Sequence, residues 1–479
     1  MLYPDPSTPP ASTSTSSNND MISLGLQRIT KLLQALKSPQ CATPIIHIAG
    51  TNGKGSVSAY IASMLHTADI RVGRFNSPHL VDEWDCIRLR EKVVEEDSFR
   101  KAREEVERVN RSESLEATPF EVLTATAFSL FAQSDLDVAV VEVGMGGEGD
   151  ATNVVPASKT LLSILTAVDL DHQGFLGNTV GEIAKVKSGI TREGGDLVVS
   201  KQGYPEVVEV AQSIARQRGA TVWQAGGGRL LETSTTASSS SSQSASIPLS
   251  PASVFPPNPP SLPSVSPSSL SVKLPLPGSY QLDNSTTAAL AVQLLRSLPR
   301  TTRLVPRLAS ISDEAMRQGI ERTTWDGRLQ WLDWSPPAAS ETGRILLDGA
   351  HNPSSANLLA SYLASLSLSE RPTTLVFGLS APRAASDVLE PLLHPSTGIK
   401  RVVCVEFSRP AGMPWVRSTP AEELYKSVAD MGVEGVSVER CGSVKEAFEL
   451  GVVGNEETVV VAGSLYLVAD ALRFVRGQA

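Results

Sequence analysis

The sequence predicts an α/β fold with two domains, a larger one built on a mostly parallel sheet and a smaller Rossmann-like one. The chain has 479 residues, more than one compact core usually holds. Continuous apolar runs, typical of strands buried on both faces of a parallel sheet, alternate with segments of helical periodicity. A glycine-rich turn joins the first of these runs to a helix, which is how P-loop-type α/β domains begin.

The larger domain is expected to span residues 21–300. Strands are predicted at 45–49, 138–143, 161–168 and 197–200, and helices at 24–36, 56–66, 98–109, 120–131, 180–188 and 284–298. Residues 225–272 interrupt this pattern with a serine run at 238–242 and many prolines. Because such a segment buries little apolar surface, we predict a mobile, low-complexity surface insertion rather than an active-site lid.

The smaller domain is expected to span residues 301–479, with the join near Leu298 to Leu304. Strands are predicted at 344–347, 374–378, 401–407, 436–440 and 458–462, and helices at 354–366, 386–393, 420–431, 444–450 and 465–475. This regular alternation of strands and helices is what predicts a Rossmann-like arrangement.

The composition argues against several classes of protein. The formal net charge of -9 disfavours a general nucleic-acid binder, which needs a basic face. No apolar stretch is long enough to cross a bilayer, so no membrane partner is expected. The cysteines show no metal-site spacing and are expected to be reduced thiols of a cytosolic protein; they are Cys41, Cys86, Cys404 and Cys441.

Residues 1–20 are rich in Pro, Ser and Thr and contain no Arg or Lys. A secretory signal needs an apolar core and a mitochondrial presequence needs arginines, so neither fits this segment. We therefore predict a disordered N-terminus and a cytoplasmic location, with mitochondria as the open alternative. A monomer is expected.

The glycine-rich turn has the composition of a phosphate-binding loop. Glycines let backbone N–H groups approach phosphate oxygens, and the following helix directs its positive dipole end at them. The common Walker spacing needs glycine where Ile48 stands, so this is a variant loop, and a glycine turn without a ligand is the alternative. The predicted ATP-binding residues of the loop are Gly50, Thr51, Asn52, Gly53, Lys54, Gly55 and Ser56.

A series of short motifs runs along the chain in a fixed order. It consists of HIAGTNGKGS at 47–56, SPHL at 77–80, TPFE at 118–121, VEVGMGG at 141–147, DATN at 150–153, DH at 171–172, KSGI at 187–190, WDGR at 325–328 and DGAHNP at 348–353. This series resembles the folylpolyglutamate synthase and dihydrofolate synthase family, a branch of the Mur ligases. The resemblance covers most of residues 21–479 outside the insertion.

The resemblance implies an ATP-dependent ligase. In this family ATP phosphorylates a substrate carboxylate, and the amine of L-glutamate then attacks the acyl phosphate and releases phosphate. Such a protein must hold ATP as co-substrate, Mg²⁺, a folate-type acceptor and glutamate in line. Two Mg²⁺ ions are expected, and Lys54 is expected to be catalytic through its contact with phosphate.

Three residues are expected to bind Mg²⁺. Glu142 ends an apolar strand, and a carboxylate at the C-terminal edge of a parallel sheet faces the ligand crevice. By the resemblance, Glu142 binds Mg²⁺ with Ser77 and His172 as the other protein ligands. It also matches Lys187 to a catalytic lysine that is carbamylated in related enzymes, and burial would favour the neutral amine that reacts with CO₂.

The resemblance also assigns residues to the remaining substrates. Asn284 would face adenine, Arg328 would reach the phosphates from the interdomain linker, and Asp348 would bind nucleotide from the second domain. His351, in the same loop as Asp348, would help to orient the nucleotide and is counted as catalytic. The predicted pterin-binding residues are Thr118, Pro119, Phe120, Glu121, Gly149, Asp150 and Ala151.

Three positions depart from the family pattern. Glu148 stands where the family usually has arginine, Val186 where it often has glutamate, and Asp326 where it often has proline. A protein that binds folate or nucleotide without catalysis therefore stays open as an alternative, as does a P-loop NTPase of another class.

Single residues have structural alternatives as well. Phe120 could be a core aromatic of its helix, and Asp348 could cap the turn between a strand and a helix. Lys187 could be a surface or salt-bridged lysine, and Arg328 could form a surface ion pair.

Further segments extend the resemblance to the fungal dihydrofolate synthase branch. They are LGLQRITKLL at 24–33, DHQGFLGNT at 171–179, GMPW at 412–415 and AGSLYLVADALR at 462–473. The acceptor is therefore predicted to be dihydropteroate, which gains one glutamate to give dihydrofolate. The open alternative is a folylpolyglutamate synthase, or a bifunctional enzyme, that adds glutamates to reduced folates.

Overall fold

The computed structural model describes residues 25–231, 243–257, 269–334, 343–366, 373–449 and 458–478. Two mostly parallel sheets of nine and six strands, each flanked by helices, form its framework, so the predicted α/β class with two sheet-based parts is confirmed. The predicted disordered segment 1–20 lies outside the described residues.

The larger sheet occupies the first part of the chain. Its strand order is β11-β8-β7-β6-β1-β5-β2-β3-β4, and the central pairs from β8 to β2 are parallel. The strands up to residue 274 are β1 (Ile45–Ala49), β2 (Val72–Phe75), β3 (Ile87–Leu89), β4 (Lys92–Val93), β5 (Val138–Glu142), β6 (Thr160–Leu165), β7 (Asp196–Val199), β8 (Thr221–Gln224), β9 (Arg229–Leu230), β10 (Gln243–Pro248), β11 (Ser253–Phe255) and β12 (Ser269–Leu274).

Helices cover both faces of this sheet. They are α1 (Gln27–Ala35), α2 (Lys54–Thr67), α3 (Glu96–Ser112), α4 (Pro119–Gln133), α5 (Gln173–Leu176), α6 (Val180–Ser188), α7 (Pro205–Gln217), α8 (Tyr280–Ser297), α9 (Pro299–Leu304) and α10 (Asp313–Glu321). The helix that follows the glycine-rich loop, α2, is buried along most of its length because it packs against α8 and α10 as well as the sheet. This packing fixes the loop at the carboxyl edge of β1.

The predicted mobile insertion is ordered in its described parts. Strands β9, β10 and β12 form a three-stranded antiparallel sheet, and β11 pairs with β8 at the edge of the large sheet. Ala245, Ile247 and Val272 are buried in the same core as α2. The prediction failed because serines hide a period-two alternation in which every second residue from Ala245 to Leu249 is apolar. The serine run at 238–242 lies outside the described residues.

The first core also extends beyond the predicted join at residue 300. Leu308, Met316 and Ile320 are buried in it, and the Oγ atom of Ser63 in α2 donates a hydrogen bond of 2.6 Å to the carbonyl of Gly319. Helical structure also continues across the predicted join, since Pro299 is the first residue of α9. The structure therefore places the change of domain in the segment after α10.

The smaller sheet has the order β13-β14-β18-β15-β16-β17, and every pair except β13 with β14 is parallel. Its strands are β13 (Gln330–Trp334), β14 (Gly343–Leu347), β15 (Thr373–Phe377), β16 (Ile399–Glu406), β17 (Ser437–Ser443) and β18 (Thr458–Ala462). Its helices are α11 (Pro353–Ser365), α12 (Ser386–Leu392), α13 (Ala421–Asp430), α14 (Val444–Glu449) and α15 (Leu465–Val475). The predicted strand–helix alternation of the second part is thus confirmed.

Two composition-based expectations can be compared with the fold. Among the described residues, no helix combines the length and the apolar character that a bilayer span requires. All four cysteines are free; Cys41 is half-buried and the other three are buried.

Candidate active site

The glycine-rich loop connects β1 to α2 and has the geometry that its glycines allow. Gly50 and Gly53 have φ angles of 151° and 89°, in the region that side chains disfavour. The N–H groups of Thr51 and Asn52 both donate to the carbonyl of Ala167, at 2.8 and 3.1 Å. Since α2 begins at Lys54, the first N–H groups of the helix have no intrahelical acceptor and are available to an anion.

Lys54 and Glu142 face each other at the end of the central strands. The Nζ atom of Lys54 lies 3.8 Å from Oε1 of Glu142 and donates a hydrogen bond of 3.2 Å to the carbonyl of Thr51. The Nδ2 atom of Asn76 donates to Oε2 of Glu142 at 2.7 Å. Burial raises the pKa of Glu142, although the charge of Lys54 opposes the shift. Asn76 is absent from the predicted site; its position directly after β2, at the same sheet edge, is the signal that points to it.

One pocket collects several of the predicted residues. Gly50, Thr51 and Lys54 come from the loop, and His172 and Lys187 come from the α5–α6 region. The wall opposite the loop is formed by the glycine-rich turn after β5. The complete lining is Gly50, Thr51, Lys54, Val143, Gly144, Met145, Gly146, Asp171, His172 and Lys187.

Lys187 is buried in the last turn of α6. Its side chain donates from Nζ to the carbonyl oxygen of Gly50 at 3.0 Å, and the residue is only 3% exposed. Burial, with a further contribution from the charge of Lys54, lowers the pKa of Lys187 to about 7. The alternative of a surface lysine is therefore wrong, and a substantial fraction of the side chain is an uncharged amine at neutral pH.

His172 precedes α5 with a left-handed φ of 52°. Its Nε2 atom lies 3.7 Å from Oδ2 of Asp171. Burial lowers the pKa of His172, and the cations of Lys187 and Lys54 add to the shift while Asp171 opposes it. A neutral imidazole at neutral pH follows, which is the form that binds a metal ion.

The three predicted metal ligands do not form a closed cluster. Within the described residues, no group of three or more His, Cys, Asp and Glu side chains could hold a metal ion. The Oγ atom of Ser77, however, is buried and has no hydrogen-bond partner in the described part of the chain, and the neighbouring Asn76 contacts Glu142. A cation at this edge would therefore need the Ser77 hydroxyl, the Glu142 carboxylate and oxygens from a ligand.

The predicted pterin-binding segment at the start of α4 is well fixed. Thr118 and Glu121 form a capping box, with bonds of 2.7 and 3.3 Å, and Pro119 occupies the first turn. The ring of Phe120 stacks on Phe75 with centroids 6.3 Å apart and planes 21° apart. A Cβ atom on Gly144 would collide with the Phe120 ring, so the aromatic lies against the pocket wall. Phe120 is half-buried, which differs from a fully enclosed core aromatic.

The second predicted pterin segment is tied to the pocket wall by Asp150. Its carboxylate accepts hydrogen bonds from the N–H groups of Met145 and Thr152, both at 2.9 Å. The carbonyl of Gly149 accepts from the N–H of Gly25 at 3.1 Å, and Ala151 is buried. Glu148, which stands where the family usually has arginine, has a local partner, since Nη2 of Arg218 lies 3.5 Å from its Oε1.

Asn284 reaches the loop from α8. Its Nδ2 atom donates to Oε1 of Gln281 at 3.0 Å, and Gln281 donates to the Oγ atom of Ser56 at 3.2 Å. A Cβ atom on Gly53 would lie 2.5 Å from Oδ1 of Asn284. Asn284 thus lies beside the loop, and its contact with adenine stays a prediction. Gln281 was missed because a glutamine on a buried helix carries no distinct pattern.

The second domain meets the loop at the start of α11. Nδ2 of Asn52 donates to the Oγ atom of Ser354 at 3.3 Å. The carboxylate of Asp348 accepts from the N–H groups of Leu329 and Ala350, both at 2.9 Å. These contacts are those of a residue that caps a turn, which was the structural alternative for Asp348. Arg328 forms no surface ion pair among the described contacts and donates to the carbonyl of Gly327 at 3.2 Å.

His351 is held in one tautomer by the turn that follows β14. Its Nδ1 lies 2.7 Å from the carbonyl oxygen of Gly349, which can only accept, so Nδ1 carries the proton and Nε2 is the unprotonated acceptor. Burial, with the nearby Arg383 cation, lowers the pKa of His351 to about 4. Arg383 donates to the carbonyl of His351 at 3.2 Å and was missed in the sequence, where it follows β15 without a recognisable motif.

The fold and these contacts define a class: an α/β protein whose variant phosphate-binding loop is faced by a second, Rossmann-like domain. Residues 48–292 match the model of the Mur ligase middle domain, and residues 330–474 match that of the dihydrofolate synthetase C-terminal domain. The chain belongs to the Mur ligase family, in its dihydrofolate synthetase branch. The predicted family resemblance is confirmed.

Two fungal relatives match nearly end to end. The chain is 33% identical to the dihydrofolate synthetase of Saccharomyces cerevisiae, over 94% of this chain and 98% of the relative. It is 32% identical to the probable dihydrofolate synthetase of Schizosaccharomyces pombe, over 95% of this chain and 99% of the relative.

Solved structures show the same fold. The Mycobacterium tuberculosis folylpolyglutamate synthase complexed with ADP and AMPPCP superposes with a TM-score of 0.73 at 26% identity, covering 95% of this chain and 96% of the other. Escherichia coli FolC in complex with DHPP and ADP has a TM-score of 0.73 at 27% identity, with coverages of 96% and 95%. A bifunctional synthase from Yersinia pestis complexed with AMPPNP and a Mn ion has a TM-score of 0.71 at 25% identity, with 96% of each chain covered.

Proposed function

We propose that this protein is a dihydrofolate synthase, which uses ATP to join L-glutamate to 7,8-dihydropteroate and gives dihydrofolate, ADP and phosphate. The observation that carries the ligase assignment is the pocket in which the loop residues Gly50, Thr51 and Lys54 meet His172 and Lys187. The choice of acceptor is supported by the two fungal synthetases that match almost the whole chain.

ATP would bind with its phosphates at the start of α2. The N–H groups of the first turn and the Nζ atom of Lys54 supply positive charge there. Asn284, which already touches the loop, would contact the base, while Arg328 and Asp348 would close over the nucleotide from the other domain. The contact of Asn52 with Ser354 supports this, because it brings the loop and the second domain within hydrogen-bond distance.

The residues at the sheet edge fit divalent cations. The Ser77 hydroxyl is buried without a partner, and Glu142 offers a carboxylate beside Lys54. These two residues and His172 would hold Mg²⁺, and a second Mg²⁺ would need another anion. Bound Mg²⁺ would neutralise phosphate charge and orient the transferred group.

Lys187 would supply that second anion after carbamylation. The neutral amine attacks the carbon of CO₂, a new N–C bond forms, and a proton is released, which leaves a carbamate of charge -1. The lowered pKa provides the neutral amine, and the 3.0 Å contact with Gly50 keeps it beside the phosphates.

The acceptor would lie between Phe120 and the Asp150 turn. Phe120 offers a half-exposed aromatic face for the pterin ring. The neutral His351, with its free Nε2 directed by the Gly349 contact, would help to orient groups at the junction with the second domain. The monomeric state, the lack of a nucleic-acid partner and the cytoplasmic location stay predictions.

A folylpolyglutamate synthase activity is the second candidate. The dihydrofolate synthase/folylpolyglutamate synthase of Bacillus subtilis is 29% identical over 93% of this chain. The negative charge of Glu148 weighs against a long anionic tail near this site. The nearby cation Arg218 already contacts Glu148 and donates to the carbonyl of Gly189.

Phosphate release from ATP tests the proposed ligase. Release should require dihydropteroate and L-glutamate together and should stop when either is omitted. A chain that hydrolyses ATP without both, or not at all with both, would be an NTPase of another kind or a protein without catalysis.

A further inference from the structure

Arg74 is a buried cation that the reaction described above does not use. It lies on β2 with its side chain 1% exposed, and its Nη2 atom donates to Oε2 of Glu91 at 3.1 Å. Its Nε and Nη1 atoms are buried with no hydrogen-bond partner among the described residues. Burying a guanidinium whose donors are incompletely satisfied is unfavourable, so another interaction must favour this position.

That interaction is with Trp325, in the segment between the domains. The Cζ atom of Arg74 lies 4.9 Å from the centroid of the Trp325 ring, within the range of a cation–π interaction. The ring also lies on the first turn of α2, since a Cβ atom on Gly55 would be 2.6 Å from Cζ2 of Trp325. The indole is therefore held between a buried cation and the phosphate-binding loop.

The chain passes from one core to the other directly after Trp325. Trp325 packs against the first core, whereas Leu329 is buried in the core of the second sheet. Asp326 accepts hydrogen bonds from Nε2 of Gln330 at 2.8 Å and from Nη2 of Arg476 at 3.1 Å, both in the second domain. Asp326, which stands where the family often has proline, thus connects this part of the linker to the end of the C-terminal helix.

Arg328 lies between these two attachment points. Its neighbour Gly327 accepts a hydrogen bond of 3.1 Å from the N–H of Gly349, which fixes the linker to the second domain. On the first-domain side, the Trp325 ring, three residues before Arg328, packs against the first core. The position of Arg328 relative to Lys54 therefore depends on how firmly Trp325 is held.

We propose that Trp325 anchors the linker on the first domain and that Arg74 is a positioning residue that keeps this anchor in place. Through the linker, the pair sets where Arg328 stands relative to the phosphate-binding loop. It should therefore affect nucleotide binding more than acceptor binding. This inference rests on the proposed function, because it takes Arg328 to contact the phosphates of ATP.

The test compares Arg74→Met and Trp325→Leu with their double variant and with Arg344→Met. Arg344 is the matched control because its Cζ lies 4.4 Å from the centroid of Trp331, a similar pair on the edge of the second sheet. For each protein we would measure AMPPNP affinity by calorimetry, KM for ATP and for dihydropteroate, kcat and Tm. The calorimetry reads nucleotide binding independently of turnover.

Arg74→Met and Trp325→Leu should each weaken AMPPNP binding about 10-fold, which corresponds to ~1.4 kcal/mol. KM for ATP should rise in parallel, while KM for dihydropteroate should stay within about 2-fold of the wild type. The double variant should be no weaker than the single ones, because both remove one interaction. Arg344→Met should bind AMPPNP like the wild type.

Unchanged AMPPNP affinity in the two single variants would overturn the inference, as would additive losses or equal rises in both KM values. If Arg74→Met does not fold, the inference is tested by comparing Trp325→Phe with Trp325→Leu. The phenylalanine variant should retain most of the AMPPNP affinity, and equal losses in the two variants would contradict the role of the ring. Failure of the wild type to bind AMPPNP would instead contradict the proposed function.

Discussion

The Nζ atom of Lys187 lies 3.0 Å from the carbonyl oxygen of Gly50, the first residue of the phosphate-binding loop. This contact buries an amine next to the place where the phosphates of ATP would bind. Burial and the charge of Lys54 lower its pKa to about 7, from the usual value of 10.5. The amine therefore has two measurable consequences, a pH-dependent cost to stability and a reactivity towards CO₂.

Lys187→Met should raise the free energy of unfolding at pH 7 by a few kcal/mol, at about 1.4 kcal/mol per unit of pKa shift. Below pH 7 the cost of burying the charged lysine reduces the stability of the wild type in full. This cost is lost as the pH rises towards 10.5, because between these pH values the unfolded chain holds a proton that the folded chain has released. Thermal unfolding in CO₂-free buffer at pH 6 to 10 would show the advantage of the variant shrinking with pH. The exposed Lys185 on the same helix provides the control, and a pH-independent difference for Lys187→Met would contradict the assigned burial cost.

Lys54→Ala should abolish turnover while leaving Tm close to the wild type. The side chain contacts Thr51 and Glu142 at the pocket and lies in no hydrophobic cluster of the described residues, so its loss removes phosphate stabilisation and little packing. Lys201→Ala is the matched control, because that side chain is 66% exposed and paired with Asp283. Retention of more than about a tenth of kcat, a loss below ~1.4 kcal/mol, would refute a role at the phosphates.

Glu142→Gln and His172→Ala should each raise the Mg²⁺ concentration needed for half-maximal activity by about 10-fold or more. Both changes remove an electron-pair donor from a site that has few protein ligands. Glu105→Gln, on the exposed face of α3, should leave the Mg²⁺ titration unchanged. Wild-type titrations for both site variants would show that the metal lies elsewhere.

Ile247→Ala should destabilise the protein by about 2–4 kcal/mol, as expected for a large apolar side chain removed from a core. Ile247 is fully buried in the first core, although its strand lies in the Ser/Pro-rich region. Ser250→Ala, at an exposed position in the same region, should be neutral. A neutral Ile247→Ala, measured by urea unfolding, would restore the interpretation of 225–272 as a dispensable insertion.

The sequence predicted elements with a strong periodicity and missed those whose pattern is short or diluted. The buried strands β1 and β18 and the helices α6 and α15 have the predicted bounds. The two strands are short, mostly apolar segments, and the two helices begin directly after the polar N-caps Thr179 and Ser464. The strand β2 was missed since Gly73 and Arg74 interrupt its apolar residues. The paired strands β10 and β12 were missed because the Ser/Pro-rich composition of the segment was given more weight than its alternation of apolar and polar residues.

The residue types of the candidate site could be predicted from the sequence, but several of their hydrogen-bond partners could not. The motifs gave the loop, Lys187 and His172, which do share one pocket. They could not give Gln281 or Arg383, because these side chains reach the site through tertiary packing and stand in no recognisable local pattern. Asn76 was missed because β2, the strand that it follows, was itself not predicted. The present hydrogen bonds of Asp348 to backbone N–H groups are likewise set by the turn at the linker.

Product analysis by mass spectrometry tests the central claim most directly. The purified enzyme would be incubated with ATP, Mg²⁺ and L-glutamate, and with either dihydropteroate or tetrahydrofolate monoglutamate as acceptor. We predict that dihydropteroate gains one glutamate to give dihydrofolate, and that tetrahydrofolate monoglutamate is not extended. Efficient extension of tetrahydrofolate monoglutamate with dihydropteroate left untouched would contradict the account and assign the protein to folylpolyglutamate synthesis instead.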